Sequence, residues 1–365
     1  MKHRRILSGL AALMLAASLP MSALAREWDI ADGDITIVAD NDGQKVSQGT
    51  ENDISDDNPV IIGNSATNTV SIVAEKDQTA NVTLSGANID GSTKGNAAVS
   101  TTGEGNVSIE LDGDSTLKSG FCHAGLEKNN GGSLTIADED KNGKLTAEGG
   151  GYGAGIGGGY NGTGSDITIS GGEVKATGGA FGAGIGGGYE AGGSDIAISG
   201  GEVNATGGGA YGAGIGGGWG GSGSDITISG GEVKATGGSY GAGIGGGYSG
   251  DGSDITVSGG EVKATGGVNG AGIGGGLQGK GKDITVSGDA KLKVQGGVES
   301  WTGGAGAGIG NGGSKADGNQ IPGAEVEPDT SDLTTGWIEY YAPGADMDKD
   351  APSQTIVGTY IPPQP

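Results

Sequence analysis

The stretch Gly153-Ala-Gly-Ile-Gly-Gly-Gly159, with Ser165-Asp-Ile-Thr-Ile-Ser170 and Glu173-Val-Lys-Ala-Thr177 after it, decides the fold of this chain. It recurs almost unchanged, and its central isoleucine returns at intervals of 29, 30, 29 and 29 residues. A fixed period of this length indicates a solenoid, in which each unit buries its apolar side against its neighbours. The isoleucines that mark the units are Ile156, Ile185, Ile215, Ile244 and Ile273.

The two longer segments of each unit alternate polar and apolar residues, which is typical of half-buried β-strands. Three extended segments separated by glycines predict one coil of an all-β, right-handed parallel β-helix with coils of about 29 residues, since parallel crossovers are normally right-handed. A disordered glycine-rich chain would lack isoleucine and valine at a fixed phase. In the first unit we expect these side chains to point inward: Ala154, Ile156, Ile167, Ile169, Val174 and Ala176.

Residues 1–25 have the pattern of a secretory signal peptide. Lys2, Arg4 and Arg5 precede an apolar run, and Ala23-Leu-Ala25 provides a small-residue cleavage site. The sequence shows no lipid-attachment cysteine after the signal and no sorting motif with an apolar tail. We therefore expect a secreted protein, extracellular or associated with a cell surface, that does not insert into the membrane.

The chain is strongly acidic. Its formal net charge is −24, and loss of the three signal-peptide cations leaves −27. Such a field disfavours nucleic acid and anionic membranes as partners but is compatible with cations and neutral polymers. Cys122 is the only cysteine, so an internal disulfide is excluded.

Four segments follow from the spacing. After the signal peptide, residues 26–150 carry a less regular form of the repeat. We interpret them as an N-terminal cap around Trp28 to Val38, followed by irregular coils. Leu84, Ile109 and Ile136 are expected in one inward column, and Ala124-Gly-Leu126 replaces the Ala-Gly-Ile element. Residues 151–318 form the regular array. Residues 319–365 are acidic and proline-rich, and are predicted to be a cap or linker with one possible strand at Trp337–Tyr341.

Two aromatic columns flank the central isoleucines, and their eight residues are more than half of the 15 aromatic residues in the chain. Rings one coil apart could stack into a ladder that joins the coils, or they could form an exposed platform for the sugar rings of a polysaccharide. The first column is Tyr152, Phe181, Tyr211 and Tyr240, and the second is Tyr160, Tyr189, Trp219 and Tyr248. The glycines between them either allow close packing inside the coil or present a bare face to a partner.

An acidic column precedes the first strand of each unit. Its carboxylates could accept backbone hydrogen bonds in their own turns, or they could bind calcium between coils. The candidate metal ligands are Asp166, Asp195, Asp225, Asp254 and Asp283.

Catalysis has little support in the sequence. After residue 25 only one arginine, Arg26, and one histidine, His123, remain, and neither lies in the regular array. Polysaccharide lyases and hydrolases of β-helical fold need such bases, or paired carboxylates, in a groove. We therefore expect no enzymatic activity and keep a polysaccharide lyase as a remote alternative.

The Gly-Ala-Gly-Ile-Gly-Gly-Gly and Asp-Ile-Thr-Ile-Ser-Gly-Gly units, over residues 132–313, resemble glycine-rich repeat surface proteins of anaerobic gut bacteria. More distantly, they are similar to the clostridial carbohydrate-binding β-helix family, whose members bind calcium and plant polysaccharides such as cellulose and polygalacturonate. The resemblance implies a non-enzymatic adhesin or carbohydrate-binding module whose partner is an extracellular polysaccharide or a host or cell-surface glycan, with calcium as a candidate cofactor. A purely structural or protein-binding cell-surface component is the alternative.

Overall fold

The computed structural model describes residues 26–358, in which the chain forms an all-β parallel solenoid of about 29 residues per turn. The predicted signal peptide, residues 1–25, and the end of the predicted cap or linker, residues 359–365, lie outside the described residues. Three sheets run along the solenoid, here called sheets I, II and III. Within a regular coil the chain passes from sheet I to sheet III and then to sheet II.

Sheet I has ten strands, and every neighbouring pair in it is parallel. Its alternating segments put isoleucine or valine inward at two positions per coil, and Ile167, Ile196, Ile226 and Ile255 pair in register as predicted. The strands are Glu27–Asp29, Val60–Ile62, Thr79–Ser85, Asn106–Asp112, Leu134–Ala137, Gly164–Ile169, Gly193–Ile198, Gly223–Ile228, Gly252–Val257 and Gly281–Val286.

Sheet III carries the Glu-Val-Lys-Ala-Thr segments, and the predicted strand Trp337–Tyr341 pairs with its last regular strand. An antiparallel strand then forms the C-terminal edge of the sheet. The strands are Asn64–Ser65, Asn88–Asp90, Asp114–Lys118, Lys144–Glu148, Glu173–Thr177, Glu202–Thr206, Glu232–Thr236, Glu261–Thr265, Lys291–Gln295, Trp337–Tyr341 and Gln354–Val357.

Sheet II is long-stranded at the N-terminal end and shrinks to two residues per coil in the regular array. An antiparallel hairpin, Gly43–Gln48 with Glu51–Ser55, covers its N-terminal edge. The parallel strands are Ile35–Asp40, Val70–Ala74, Val99–Gly103, Leu126–Lys128, Ile156–Gly157, Ile185–Gly186, Ile215–Gly216, Ile244–Gly245, Ile273–Gly274 and Ile309–Gly310. Outside the sheets lie the hairpin Ser314–Ala316 with Asn319–Ile321 and two 3-10 helices, Ile30–Asp32 and Gly91–Thr93.

The core is a continuous column of aliphatic side chains inside the three sheets. The six side chains predicted to point inward in the first regular unit are all fully buried. The in-register pairing of Leu126 with Ile156 confirms the place of the Ala-Gly-Leu element.

One predicted column was wrong. Ile109 pairs with Ile136, but its partner on the other side is Val82, whereas Leu84 pairs with Leu111. Strands Thr79–Ser85 and Asn106–Asp112 each have seven residues and three inward positions, so the register moved by two residues while the inward face stayed the same.

Candidate functional site

A tight turn in each regular coil brings the two aromatic columns together. The backbone N–H of Ala154 donates to the carbonyl of Gly158 at 2.9 Å, so the chain reverses around the inward-pointing Ile156. Tyr152 and Tyr160, which flank this turn, therefore lie side by side with ring centroids 5.3 Å apart. The two columns that are separate in the sequence form one aromatic ridge along the solenoid.

Within the ridge the second column is a parallel stack. The centroid distances are 5.5 Å from Tyr160 to Tyr189, 4.8 Å from Tyr189 to Trp219 and 6.3 Å from Trp219 to Tyr248, with interplanar angles of 7–11°. Rings of the first column meet it edge to face, as Phe181 does with Tyr189 at 78°. Such pairs are worth about 0.5–1.5 kcal/mol each beyond burial, so the ridge joins coil to coil.

None of the eight rings is fully buried: seven are partly buried and Tyr160 is 49% exposed. In residues 26–358 no buried side-chain nitrogen or oxygen lacks a hydrogen-bond partner, so ridge hydroxyls without a protein partner reach solvent. Partial burial raises the pKa of Tyr189, and the neighbouring Glu190 adds to the shift. The ridge thus presents ring edges and polar atoms at the spacing of the coils.

Stacking also covers the flat faces of the rings, so that a ligand cannot reach them. A sugar binds an aromatic side chain best through its apolar face on the flat face of the ring. Inside the second column both faces of Tyr189 and Trp219 are covered by neighbouring rings. A polysaccharide lying along the ridge would therefore meet ring edges and polar atoms in its middle, and an open ring face only where the stack ends.

The two ends of the ridge differ; the sequence pattern shows Asn269 and Leu277 ending the columns, but sequence reasoning missed the ring at the N-terminal end. At the N-terminal end Phe121, 62% exposed, packs on Tyr152 at 4.7 Å. At the C-terminal end the columns continue as Asn269 and Leu277, both buried. Asn269 there donates to the carbonyls of Gly303 and Gly304 and so fixes an inserted loop.

The five aspartates of the acidic column are exposed and share one backbone conformation. Their φ angles are 52–55°, in the left-handed region that aspartate tolerates better than most residues. Their carboxylates accept no hydrogen bond from residues 26–358, although Lys282 lies 3.7 Å from Asp283. Of the two alternatives for the column, acceptance of turn N–H groups was wrong; the positive φ that aspartate tolerates is instead what these positions share: Asp166, Asp195, Asp225, Asp254 and Asp283.

The acidic column borders an open groove of about 1120 Å³ on sheet I. Threonines of the strands form its floor, and Glu327 and Asp329 of the C-terminal segment line its far side. The structure does not bring three carboxylates of the acidic column within the spacing of one metal ion. Within residues 26–358 the group that has this spacing is Glu110, Asp138 and Asp140, whose oxygens lie within 4.8 Å of one another.

That second group could hold a divalent cation. Partial burial raises the pKa of Glu110, and the neighbouring carboxylates add to the shift. Asp138 accepts the N–H groups of Asn142 and Gly143 at 3.2 and 3.1 Å, so the loop is folded around it. Sequence reasoning missed the group because Glu110 comes from the preceding coil.

The glycines between the aromatic columns are explained by packing between coils. Gly157 has φ of 130°, and a Cβ there would lie 2.1 Å from the carbonyl oxygen of Gly186. A Cβ on Gly153 would lie 2.0 Å from the carbonyl oxygen of His123. Of the two interpretations of these glycines, the structure therefore favours close packing over a bare face for a partner.

The chain matches the family described as beta helix repeat over residues 141–160, 167–189, 196–219, 226–248 and 255–277. This match covers less than half of the chain and agrees with the sheet topology, which shows the fold of a parallel β-helix. No curated protein and no solved structure matches the chain. Within residues 26–358 there is no helix of the length and apolarity needed to cross a membrane.

Proposed function

We propose that this protein is a secreted, non-enzymatic solenoid that binds extracellular polysaccharide along its aromatic ridge. The observation that supports the proposal is that none of the eight ridge rings is fully buried, since a ladder needed only for stability could be buried. Each coil adds a weak contact, and one polymer crossing several coils would be retained tightly through multivalency. The net charge of −24, which removal of the predicted signal peptide would make −27, favours a neutral polymer.

Calcium is proposed as an accessory ligand only. The acidic column and the group of Glu110, Asp138 and Asp140 are its two candidate positions, and the second has the tighter spacing. Calcium would stabilise the coils that it joins, because a ligand that binds only the folded chain raises its stability.

A second function is favoured by the stacking itself. The parallel rings at 4.8–6.3 Å make the ridge a staple between coils, as a purely structural surface component would need. The two functions predict different results for the same substitution.

The test is Trp219→Ala, with Lys234→Ala on sheet III of the same coil as the matched control. Retention in native gels containing neutral polysaccharides is measured far below the melting temperature, so that only folded protein is compared. We expect Trp219→Ala to lower retention several-fold and Lys234→Ala to leave it unchanged. If Trp219→Ala lowers the melting temperature but leaves polymer retention intact, the ridge is a staple and the binding proposal is wrong.

A further inference from the structure

The N-terminal end of the aromatic ridge has an open ring face. Counting from the pair Leu126 and Ile156, Asn130 occupies the position one coil before Tyr160. The amide of Asn130 is buried and donates to the carbonyls of Gly105 and Gly132 at 2.8 and 3.0 Å, so it does not cover the ring. Tyr160 is accordingly the most exposed ring of its column.

A second ring stands beside this face. Phe121 and Tyr160 both pack against Tyr152, at 4.7 and 5.3 Å, and thus lie around the same end of the ridge. By the same count Cys122 takes the place of Tyr152 in this coil, and its carbonyl accepts the N–H of Tyr160 at 2.7 Å. Replacement of a ring by the smaller cysteine leaves room at the corner.

Polar groups held in fixed positions border the corner. The carboxylate of Glu127 is buried and accepts from Ala124 N at 3.0 Å and Asn129 Nδ2 at 2.7 Å, and it lies 2.8 Å from His123 Nδ1. A Cβ on Gly159 would be 2.7 Å from Glu127 Oε2, which places the network next to Tyr160. Glu127 therefore orients His123 and Asn129, and His123 Nε2 remains available to a ligand.

We propose that this corner is a subsite for one neutral pyranose ring. The apolar face of the sugar packs on Tyr160 with Phe121 at its side, and His123 and Asn129 hydrogen-bond its hydroxyls. A few convergent polar groups beside apolar surface are the usual composition of such sites. A β-linked glucose unit fits best, because its equatorial hydroxyls leave both faces apolar and it adds no charge to an acidic protein. The choice of a neutral sugar as the ligand rests on the proposed function. The position of the subsite rests only on the contacts described above.

The experiment uses the unique thiol as a reporter. Cys122 is the only cysteine and is exposed, so its rate of alkylation can be followed in the unmodified chain. Cellotetraose is expected to slow alkylation several-fold and to shift the imidazole NMR signals of His123. Tetragalacturonate, with one carboxylate per sugar, is expected to do neither. An unchanged rate and unshifted signals with cellotetraose overturn the proposal, as does protection by tetragalacturonate alone.

Variants then locate the binding. Tyr160→Ala is expected to weaken cellotetraose binding about tenfold. Lys234→Ala on sheet III, away from the ridge, is expected to leave it unchanged. Equal losses in both variants show that the effect of Tyr160→Ala is not local to this corner and overturn the subsite. If the subsite fails while Trp219→Ala still reduces polymer retention, the proposed function stands without it; if no glycan is retained at all, both are wrong.

Discussion

The irregular coils of residues 26–150 and the regular coils of residues 151–318 contribute to the same three sheets, but side-chain hydrogen bonds between coils are concentrated in the irregular ones. In the irregular coils polar side chains link one coil to the next, as Gln44 does to the carbonyl of Asn81 and Thr101 to Asn130. Backbone hydrogen bonds join the coils in both regions, as from the N–H of Val70 to the carbonyl of Ala98 in the irregular coils and from the N–H of Ile156 to the carbonyl of Gly184 in the regular ones. The same bond recurs from Ile185 to Gly214.

The difference follows from repetition. Identical coils keep their register through identical inward residues and through glycines that let backbones approach closely. Coils of unequal length also pair through inward residues, but their loops differ from coil to coil and are fixed by side-chain hydrogen bonds of their own. Substitutions should therefore act through packing and backbone geometry in the regular array, and through buried hydrogen bonds in the irregular coils.

The largest effect is expected at the core of the regular array. Ile226→Asp places an unpaired charge among fully buried isoleucines and should cost more than about 4 kcal/mol. Thr227→Asp, at the next residue but facing outward, is the matched control and should change stability little. Thermal unfolding followed by circular dichroism measures both. Similar melting temperatures for Ile226→Asp and the native protein would contradict the stacked core.

Backbone geometry should give the next effect. Gly216→Ala puts a Cβ 2.1 Å from the carbonyl oxygen of Gly245 at a φ of 127°. The strain alone is worth about 1–3 kcal/mol, and the overlap adds to it. Gly209→Ala is the control, since a Cβ there meets no atom within 4 Å. If both substitutions lower the melting temperature equally, close approach between coils does not explain the glycines.

In the irregular coils the matching test is Thr101→Val. The buried hydroxyl of Thr101 donates to Asn130 Oδ1 at 2.8 Å, and its loss leaves buried acceptors without a donor. We expect a cost of about 1–3 kcal/mol by urea unfolding. Thr227→Val, at the surface of the regular array, should stay within about 0.5 kcal/mol. If Thr101→Val lowers the free energy of unfolding by as little as Thr227→Val does, the buried hydrogen bonds do not stabilise these coils.

The smallest effect is expected in the acidic column. Asp225→Val should cost about 1–2 kcal/mol, because a β-branched residue is disfavoured at its φ of 53°, whereas Asp225→Asn should be nearly neutral. Thermal melts of the two variants test this. The same melts in millimolar calcium and in EDTA locate any metal: a calcium shift that survives Asp225→Asn and is lost in Asp138→Asn belongs to the irregular coils. Loss of the shift in Asp225→Asn alone would assign calcium to the column.

The sequence by itself determined the coil, its three strands and its inward residues, because a repeat in constant phase leaves one way to bury Ile156 and its equivalents. Only the tertiary structure decided how the rings lie. The turn around Ile156 merges Tyr152 and Tyr160 into one ridge, and stacking then covers the ring faces that a sequence pattern would count as free. The tertiary structure also decided which side chains outside the repeat lie close together: Phe121, His123 and Glu127 do so on a coil that departs from the regular length. No repeat in the sequence predicts these contacts, because they depend on where each neighbouring coil places its backbone.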